Sequence, residues 1–223
     1  MTNMFVQELW RYPVKSMAGE RLDRIGVELS GLSGDRKVHV QRAGRVITAR
    51  THPKLLGLHG TTSADGRPLI NGFAWDSPEA LKLVRGAVGQ NVQVGYYDGP
   101  ERFDILPLLV ATDGALQAFG HDSRRLRPNI IIAGVPGLEE RTWPGRTLRI
   151  GEVLIGIQDL RARCVMTTYD PDTLEQKPGV LKEIVAKFGG ELALNCFVLR
   201  AGEIRVGDKA ELLDAADDSK EAN

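Results

Sequence analysis

The sequence lacks the features that mark several classes of protein. Among its 223 residues, Lys plus Arg and Asp plus Glu both total 29, so it has no basic excess of the kind that non-specific nucleic-acid binding uses. No stretch approaches the roughly 18 consecutive apolar residues of a membrane span, and the N-terminus lacks the order of basic, apolar and small residues of a secretory signal. We therefore expect a cytoplasmic protein with no membrane anchor and no nucleic-acid partner, in which any anion site is local.

Cysteine is also scarce, since the chain contains only Cys164 and Cys196. There is no CxxC pair, HExxH motif or four-cysteine set, which argues against a structural zinc or a self-contained iron–sulfur cluster. A chain of this length has little need of a disulfide, and the cytosol disfavours one, so we expect two free thiols. The GxxxxGK[ST] and GxGxxG motifs are missing too, which excludes P-loop and Rossmann nucleotide sites.

What the sequence does contain is a series of short β segments joined by turn residues. The pairs Ala43-Gly44 and Asp65-Gly66 favour tight hairpin turns between extended arms. The segments at 148–155 and 204–212 share the order strand, Gly plus acid, strand, and each predicts a further hairpin. Many short strands with few helices indicate a predominantly β, α+β fold rich in β-barrel structure.

Helices are few, and their ends carry capping residues. In "SPEALKLVRGAV", Ser77 can cap a helix that begins at Pro78. Thr112 or Asp113 can cap a short helix after a buried strand, and "PGVLKEIVAKFGG" predicts an amphipathic helix between Pro178 and Gly189. The apolar face of this last helix is expected to comprise Val180, Leu181, Ile184, Val185 and Phe188.

The composition becomes loop-like around Gly99-Pro100, which is the best candidate for a domain boundary. We therefore divide the chain into two domains, residues 1–99 and 100–214. The polar residues 215–223 are expected to form a disordered tail.

Cys164 is the most reactive candidate in the chain, because "RARCVMTTYDPDT" places it beside Arg161 and Arg163. Nearby cations stabilise a thiolate, which is a nucleophile and a soft-metal ligand. The alternative is a small buried hydrophobe, and local sequence does not decide between them. Asp170 lies close enough to handle a proton, although turn chemistry explains it equally well. Cys196 lies in an apolar segment and is expected in the core.

Four basic residues, Lys15, Arg36, Arg50 and Arg127, each lie beside a predicted strand rather than in a charge run. Taken singly, each is most simply a solvated or ion-paired surface residue. Together they could converge on a phosphorylated, carbonyl-rich ligand, for which arginine is geometrically suited. Residue patterns alone leave both alternatives open.

Several motifs occur in an order that resembles a known family. They are "LWRYPVKS", "GDRKVHV", "VITAR", "LRPNIIIAG", "RCVMTTYDPDT" and "IRVGDKAEL". This order resembles MOSC-domain proteins that carry a preceding MOSC N-terminal β-barrel domain, and within them the amidoxime-reducing components. The similarity spans about Phe5 to Leu213. It implies an N-terminal β-barrel-like domain in residues 1–99, followed by a MOSC β-barrel domain with a few short helices.

The resemblance also implies a cofactor and a reaction. Cys164 matches the position that ligates molybdenum in a molybdopterin-type cofactor, with Arg163 as its electrostatic support and Asp170 as a candidate for proton handling. The family reaction is two-electron reduction of N-hydroxylated compounds, which include amidoximes and hydroxylamines. The positions matched to cofactor binding are Lys15, Ser16, Arg36, Arg50, Thr112, Arg127, Asn129 and Arg163.

Two cysteines cannot ligate a Cys₄ cluster, so the resemblance implies that electrons come from a separate reductase, ferredoxin or cytochrome type of protein. A second reading is a carrier, in which Cys164 holds a persulfide or passes on the cofactor without turnover. A third is a ligand-binding β-barrel with an inert, buried Cys164.

Overall fold

Seventeen strands and three α-helices make up the regular structure of residues 3–214, the part of the chain that the computed structural model describes. The strands of the N-terminal half are β1 (Phe5–Arg11), β2 (Glu20–Leu22), β3 (Arg24–Glu28), β4 (Gly31–Leu32), β5 (Val38–Arg42), β6 (Arg45–Ile47), β7 (Gly60–Thr62), β8 (Pro68–Ile70), β9 (Phe73–Ala74) and β10 (Gln93–Tyr96). Those of the C-terminal half are β11 (Leu108–Thr112), β12 (Ile130–Ala133), β13 (Thr147–Ile150), β14 (Val153–Ala162), β15 (Glu191–Arg200), β16 (Gly202–Arg205) and β17 (Ala210–Leu213). The helices are α1 (Pro78–Val88), α2 (Asp113–Phe119) and α3 (Pro178–Phe188).

An eight-stranded sheet is the central element, with the strand order β17-β13-β14-β15-β11-β12-β1-β2. Its neighbours are antiparallel except for β11 and β12. The two ten-residue strands β14 and β15 form its middle, where Ile157 lies opposite Cys196. The predicted α+β, predominantly β fold is confirmed.

The predicted barrels, in contrast, do not close. Beside the large sheet, the described residues form three separate three-stranded sheets, ordered β10-β5-β6, β16-β3-β4 and β7-β8-β9. One isolated bridge, between Phe5 and Lys209, brings the first strand of the chain near the last. The backbone hydrogen bonds there link only Met4 and Val6 to residues 207–210, and β17 itself pairs with β13 alone, so the sheets do not close into a barrel.

Three of the four predicted hairpins are present. Ala43 and Gly44 take left-handed φ angles of 48° and 74° between β5 and β6, and Gly66 has φ 85° between β7 and β8. Segment 148–155 forms the hairpin of β13 and β14.

The hairpin predicted at 204–212 is wrong. There, β16 pairs with β3 and β17 pairs with β13, so the chain passes from one sheet to another. The turn between them is held by β1 instead, because the Gly207 N–H donates to the Val6 carbonyl (2.8 Å) and the Val6 N–H donates to Asp208 (2.9 Å).

The predicted helix ends are confirmed at α1 and α3. Ser77 Oγ accepts the Ala80 N–H at 3.1 Å with Pro78 in the first turn, and Gly189 ends α3 with φ 69°. The apolar stripe of α3 is narrower than expected. Its buried residues are Val180, Ile184 and Phe188, whereas Val185 is 57% exposed.

Both halves of the chain contribute to both main clusters of buried apolar residues. Val6 and Leu9 of β1 pack in the core of the eight-stranded sheet, while Met166 and Tyr169 pack against the core beside α1. The domain boundary at residue 99 therefore stays a prediction, and the tail predicted at 215–223 lies outside the described residues.

A buried carboxylate ties β11, α2 and β15 together. Glu140 Oε2 accepts the Thr112 hydroxyl at 2.7 Å and the Thr112 N–H at 3.0 Å, and Oε1 accepts the Ala193 N–H at 3.2 Å. Thr112 Oγ1 also accepts the Ala115 N–H at 3.3 Å, which caps α2. The N–H and the hydroxyl of Thr112 are therefore both engaged in hydrogen bonds that stabilise the fold.

We expect Thr112→Val to lower the free energy of unfolding by about 1–3 kcal/mol, because it leaves a buried carboxylate short of a donor and removes the helix cap. Thr112→Ser keeps the hydroxyl and should cost about 1 kcal/mol or less. Urea unfolding followed by circular dichroism measures both. Equal midpoints for Thr112→Val and the unmodified chain would show that the Glu140 contact contributes nothing.

Candidate functional site

One cavity of about 100 Å³ gathers most of the predicted site residues. It lies where β1 and β14 end and where β11 and β12 begin, and eight of the ten predicted residues line it. These are Lys15, Ser16, Arg36, Arg50, Arg127, Asn129, Arg163 and Cys164. Residues that are up to about 150 positions apart in sequence are thus brought to one place, although their roles stay predictions.

Cys164 reaches the cavity because β14 ends just before it. The strand stops at Ala162, and Cys164 precedes a 3₁₀ turn at Val165–Thr168. Its carbonyl accepts the N–H (3.1 Å) and the hydroxyl (2.8 Å) of Thr167, which fixes the backbone and leaves the half-buried thiol on the cavity wall. The alternative of a packing sulfur applies instead to Cys196, which is fully buried in β15 and whose thiol pKa is raised by burial. Both thiols are free, as predicted.

Tyr12 supports two of the arginines. The guanidinium carbons of Arg127 and Arg36 lie 4.2 Å and 5.1 Å from the centroid of its ring. The Tyr12 hydroxyl donates to the Pro128 carbonyl at 3.1 Å, and burial raises its pKa to about 12, so the ring stays neutral. A neutral aromatic face stabilises a guanidinium that has lost part of its hydration.

Two buried donors of the cavity arginines have no partner within the described part of the chain. They are Arg127 Nη2 and Arg163 Nε. Burial is the main reason that the pKa of both guanidinium groups is lowered to about 10, and the charge of Arg161 contributes to this lowering at Arg163. Both nevertheless stay protonated at neutral pH. Buried, charged donors without acceptors are expensive, and an anionic ligand in the cavity would satisfy them.

Three residues of the cavity wall have left-handed backbone conformations that non-glycine residues seldom adopt. Ser16, Arg36 and Arg127 have φ angles of 70°, 55° and 59°. Each is held by a hydrogen bond to a neighbouring segment or turn: the Ala49 N–H donates to Ser16 Oγ at 3.0 Å, the Arg36 N–H to Tyr12 at 2.8 Å, and the Arg127 N–H to Arg124 at 3.2 Å. Such strain concentrates at sites where side chains must point in a particular direction.

Buried Asp35 and Asn129 join the two halves of the chain beneath the arginines. Asp35 accepts the Tyr12 N–H at 2.7 Å and pairs with Arg36. Asn129 donates to the Trp10 carbonyl at 3.3 Å and accepts the Leu109 N–H at 3.1 Å. Asn129 therefore fixes the relative position of β1 and β11, in addition to lining the cavity.

The cavity is strongly basic although the protein as a whole is neutral. Seven basic side chains and one acidic side chain, Asp104, are among the described residues that line it. The basic residues are Lys15, Arg36, Arg50, Arg125, Arg127, Arg161 and Arg163. Positive charge is therefore concentrated at this cavity, and its role as an anion site stays a prediction.

Two predicted site residues are not brought to the cavity. Thr112 is buried against Glu140. Asp170 pairs with Arg125 at 2.8 Å and accepts the N–H groups of Asp172 (3.2 Å) and Thr173 (3.1 Å), so it stabilises its own turn. Those backbone donors lower the pKa of Asp170 and keep it ionised.

Sequence reasoning assigned no role in the site to Arg125, Asp104 or Asn195, and it treated Arg161 only as a neighbour of Cys164. All four line the cavity. The sequence did contain an indication that Arg161 belongs to the site. Residues two apart along an extended segment point to the same side, and Arg161 and Arg163 are two apart. Asn195 accepts from Arg161 at 3.2 Å across the neighbouring strand, a contact that depends on strand register.

Few side chains of the described residues could act together as metal ligands. Among residues 3–214, no group of three or more His, Cys, Asp or Glu side chains is placed to hold a metal ion. Cys164 supplies one soft thiolate, so the other ligands of a metal here would have to come from an organic cofactor. The basic walls and the unpartnered arginine donors fit such a cofactor if it is anionic.

Comparisons with known proteins agree with this description. Residues 3–71 match the MOSC N-terminal beta barrel domain, and residues 113–211 match the MOSC domain. The chain is 35% identical to mitochondrial amidoxime reducing component 2 of Macaca fascicularis and 27% identical to that of Homo sapiens. Each alignment covers 75% of this chain and 67% of the relative, so the chain spans about two thirds of their length.

A solved structure shows the same fold. The YUAD protein from Bacillus subtilis superposes with a TM-score of 0.53 over 95% of this chain and 96% of its own, at 14% identity. Within residues 3–214, no helix combines the length and the apolar composition that crossing a membrane requires.

Different exposure of the two thiols predicts different reactivity. In the folded protein, we expect iodoacetamide to modify Cys164 roughly a hundredfold or more faster than Cys196, because the latter is exposed only when the core opens. Peptide mass spectrometry over a time course measures both rates, and unfolding in guanidinium should equalise them. An unreactive Cys164 in the folded protein would favour the reading of an inert cysteine.

Proposed function

The chain belongs to the family of MOSC-domain proteins with a MOSC N-terminal β-barrel domain, and from this premise we propose that it is a molybdenum-cofactor-dependent reductase of N-hydroxylated compounds. The observation that carries the proposal is the Cys164 thiol on the wall of a basic cavity that contains unpartnered arginine donors. Its relatives named amidoxime reducing components support amidoximes and hydroxylamines as the substrate class.

Within this proposal, Cys164 ligates molybdenum, since a thiolate is the soft ligand such a centre takes. Arg127 and Arg163 would donate their unpartnered N–H groups to the anionic cofactor, and Arg36, which shares the Tyr12 ring with Arg127, would add a third guanidinium. Bound there, the cofactor supplies the two-electron redox chemistry. The chain holds the cofactor, orients it and surrounds it with positive charge.

The overall reaction converts an N-hydroxylated compound, two electrons and two protons into the parent nitrogen base and water. A role of Asp170 as proton donor stays a prediction. In the structure its carboxylate is ionised and forms an ion pair with Arg125. We propose a separate reductase, ferredoxin or cytochrome type of electron donor, because two cysteines cannot hold a Cys₄ cluster. A cytoplasmic location likewise stays a prediction.

The alternative function, a sulfur or cofactor carrier, would use the same Cys164 thiol. The half-buried Cys164 thiol at the cavity suits a persulfide as well as a metal. The two readings differ in what the isolated protein contains, so composition separates them before any assay of activity.

The test is to produce the full chain in a host that makes molybdopterin, and to measure molybdenum per chain by mass spectrometry. We expect Cys164→Ala to reduce the molybdenum content by about tenfold or more, because it removes the protein's metal ligand. Cys196→Ala is the matched control and should retain the metal, since its thiol is in the core.

Activity is measured with an amidoxime and a chemically reduced viologen dye, which removes the need for the natural electron donor. The unmodified chain and Cys196→Ala should form the amidine, and Cys164→Ala should not. Unmodified protein without molybdenum, with one extra sulfur atom on Cys164, would contradict the reductase and support the carrier.

A further inference from the structure

The acidic residue of the cavity, Asp104, touches the basic residues near the cavity mouth. Lys15 Nζ donates to Asp104 Oδ1 at 2.7 Å, and Arg50 Nη2 donates to Oδ2 at 2.9 Å. Arg161 Nη2 lies 3.9 Å from the same Oδ2 atom. We name Lys15, Arg50 and Arg161 the outer subsite. One carboxylate therefore neutralises part of the charge of three cations.

This carboxylate takes the position that an anionic ligand would take. Its two oxygens are shared between a lysine and an arginine, which is how these side chains bind the oxygens of a phosphate group. Arg127 and Arg163 also line the cavity, and their Nη2 and Nε atoms respectively are buried with no partner among residues 3–214; we name these the inner donors. The cavity thus has inner donors that are unfilled and an outer subsite that the chain's own carboxylate fills.

Asp104 lies on a short connection rather than on a strand or helix. Residues 97–107 link β10 to β11, and a 3₁₀ turn at Pro100–Arg102 precedes Asp104. Arg102 anchors that turn, because its guanidinium donates to the carbonyls of Ser30 (2.7 Å) and Gly99 (3.0 Å). A change in the position of Asp104 therefore disturbs no strand pairing, while both ends of its segment stay fixed.

The Asp104 contacts are also open to exchange with solvent. The side chain of Asp104 is 30% exposed and that of Arg50 is 46% exposed, so water and ions reach this pair. Burial alone would raise the pKa of Asp104, but the Lys15 hydrogen bond and the charges of Arg50 and Arg161 lower it overall. The carboxylate stays ionised, and it competes with other anions by its charge.

We propose that Asp104 is an internal counter-ion that holds the place of a phosphate-bearing ligand at the outer subsite, so that a phosphate group binds there only by displacing this carboxylate. The proposal rests on the proposed function only in requiring that the cavity takes an anionic ligand. It adds that the chain's own carboxylate sets how strongly the outer subsite attracts that ligand.

The test uses inorganic pyrophosphate and the full chain, produced in a host that makes no molybdopterin. Asp104→Asn keeps the size of the side chain and removes its charge. At low salt, where exposed charges are least screened, we expect this variant to bind pyrophosphate about tenfold or more tightly than the unmodified chain by isothermal titration calorimetry. Pyrophosphate should also raise the melting temperature of Asp104→Asn more than that of the unmodified chain.

Asp98→Asn is the matched control, because Asp98 pairs with Lys37 at 3.1 Å and does not line the cavity. It should leave pyrophosphate binding unchanged. Adding Arg50→Gln to Asp104→Asn should abolish most of the gain, since it removes a cation of the outer subsite.

Equal or weaker pyrophosphate binding by Asp104→Asn would overturn the proposal, and so would a gain that survives Arg50→Gln. The first result would mean that Asp104 organises the cations rather than competes with ligands, and the second that pyrophosphate binds only at the inner arginines. Because the titration involves no molybdenum, its failure is distinguishable from a failure of the proposed function, which the molybdenum content decides.

Discussion

Repulsion among seven basic side chains is the constraint that shapes this molecule. Like charges that converge on a partly desolvated cavity destabilise the folded state unless each is offset. The chain supplies the offsets from different segments: buried Asp35 pairs with Arg36, the Tyr12 ring lies against Arg127, and Asp104 touches Lys15 and Arg50. The unpartnered donors of Arg127 and Arg163 are the part of the charge that the chain leaves uncompensated.

The eight-stranded sheet supplies a rigid frame that stabilises this convergence of basic side chains. Its core includes β1 from the N-terminal half and β11 to β15 from the C-terminal half, so the parts of the cavity wall on β11, β14 and β15 are held by one continuous hydrogen-bonded sheet. Left-handed backbone at Ser16, Arg36 and Arg127 costs of order 1–3 kcal/mol at each position. A rigid frame can hold such conformations, because relaxing them would break buried hydrogen bonds such as that from the Tyr12 N–H to Asp35.

Features determined by local chemistry could be predicted from the sequence, and features determined by distant contacts could not. Ser77 and Gly189 end their helices with the chemistry of a few neighbouring residues. The segment 204–212 has the same local form as a true hairpin, but contacts with Val6 of β1 direct its strands to different sheets. Convergence of the basic residues is likewise non-local, and only resemblance to a family indicated it. No sequence pattern pointed to Asp104, because its role depends on the three cations that the fold brings around it.

The distribution of charge also limits what chemistry the cavity can perform. Among the described residues, no group of three or more His, Cys, Asp or Glu side chains is placed to hold a metal, so Cys164 alone of these could not form a metal site. The walls of the cavity favour an anionic ligand by their charge. The outer cations are partly neutralised by Asp104, whereas the buried donors of Arg127 and Arg163 have no partner among the described residues. Arg161 and Arg163 line the cavity together with Cys164, so the positive charge that would draw an anionic group lies at the same cavity as the thiol.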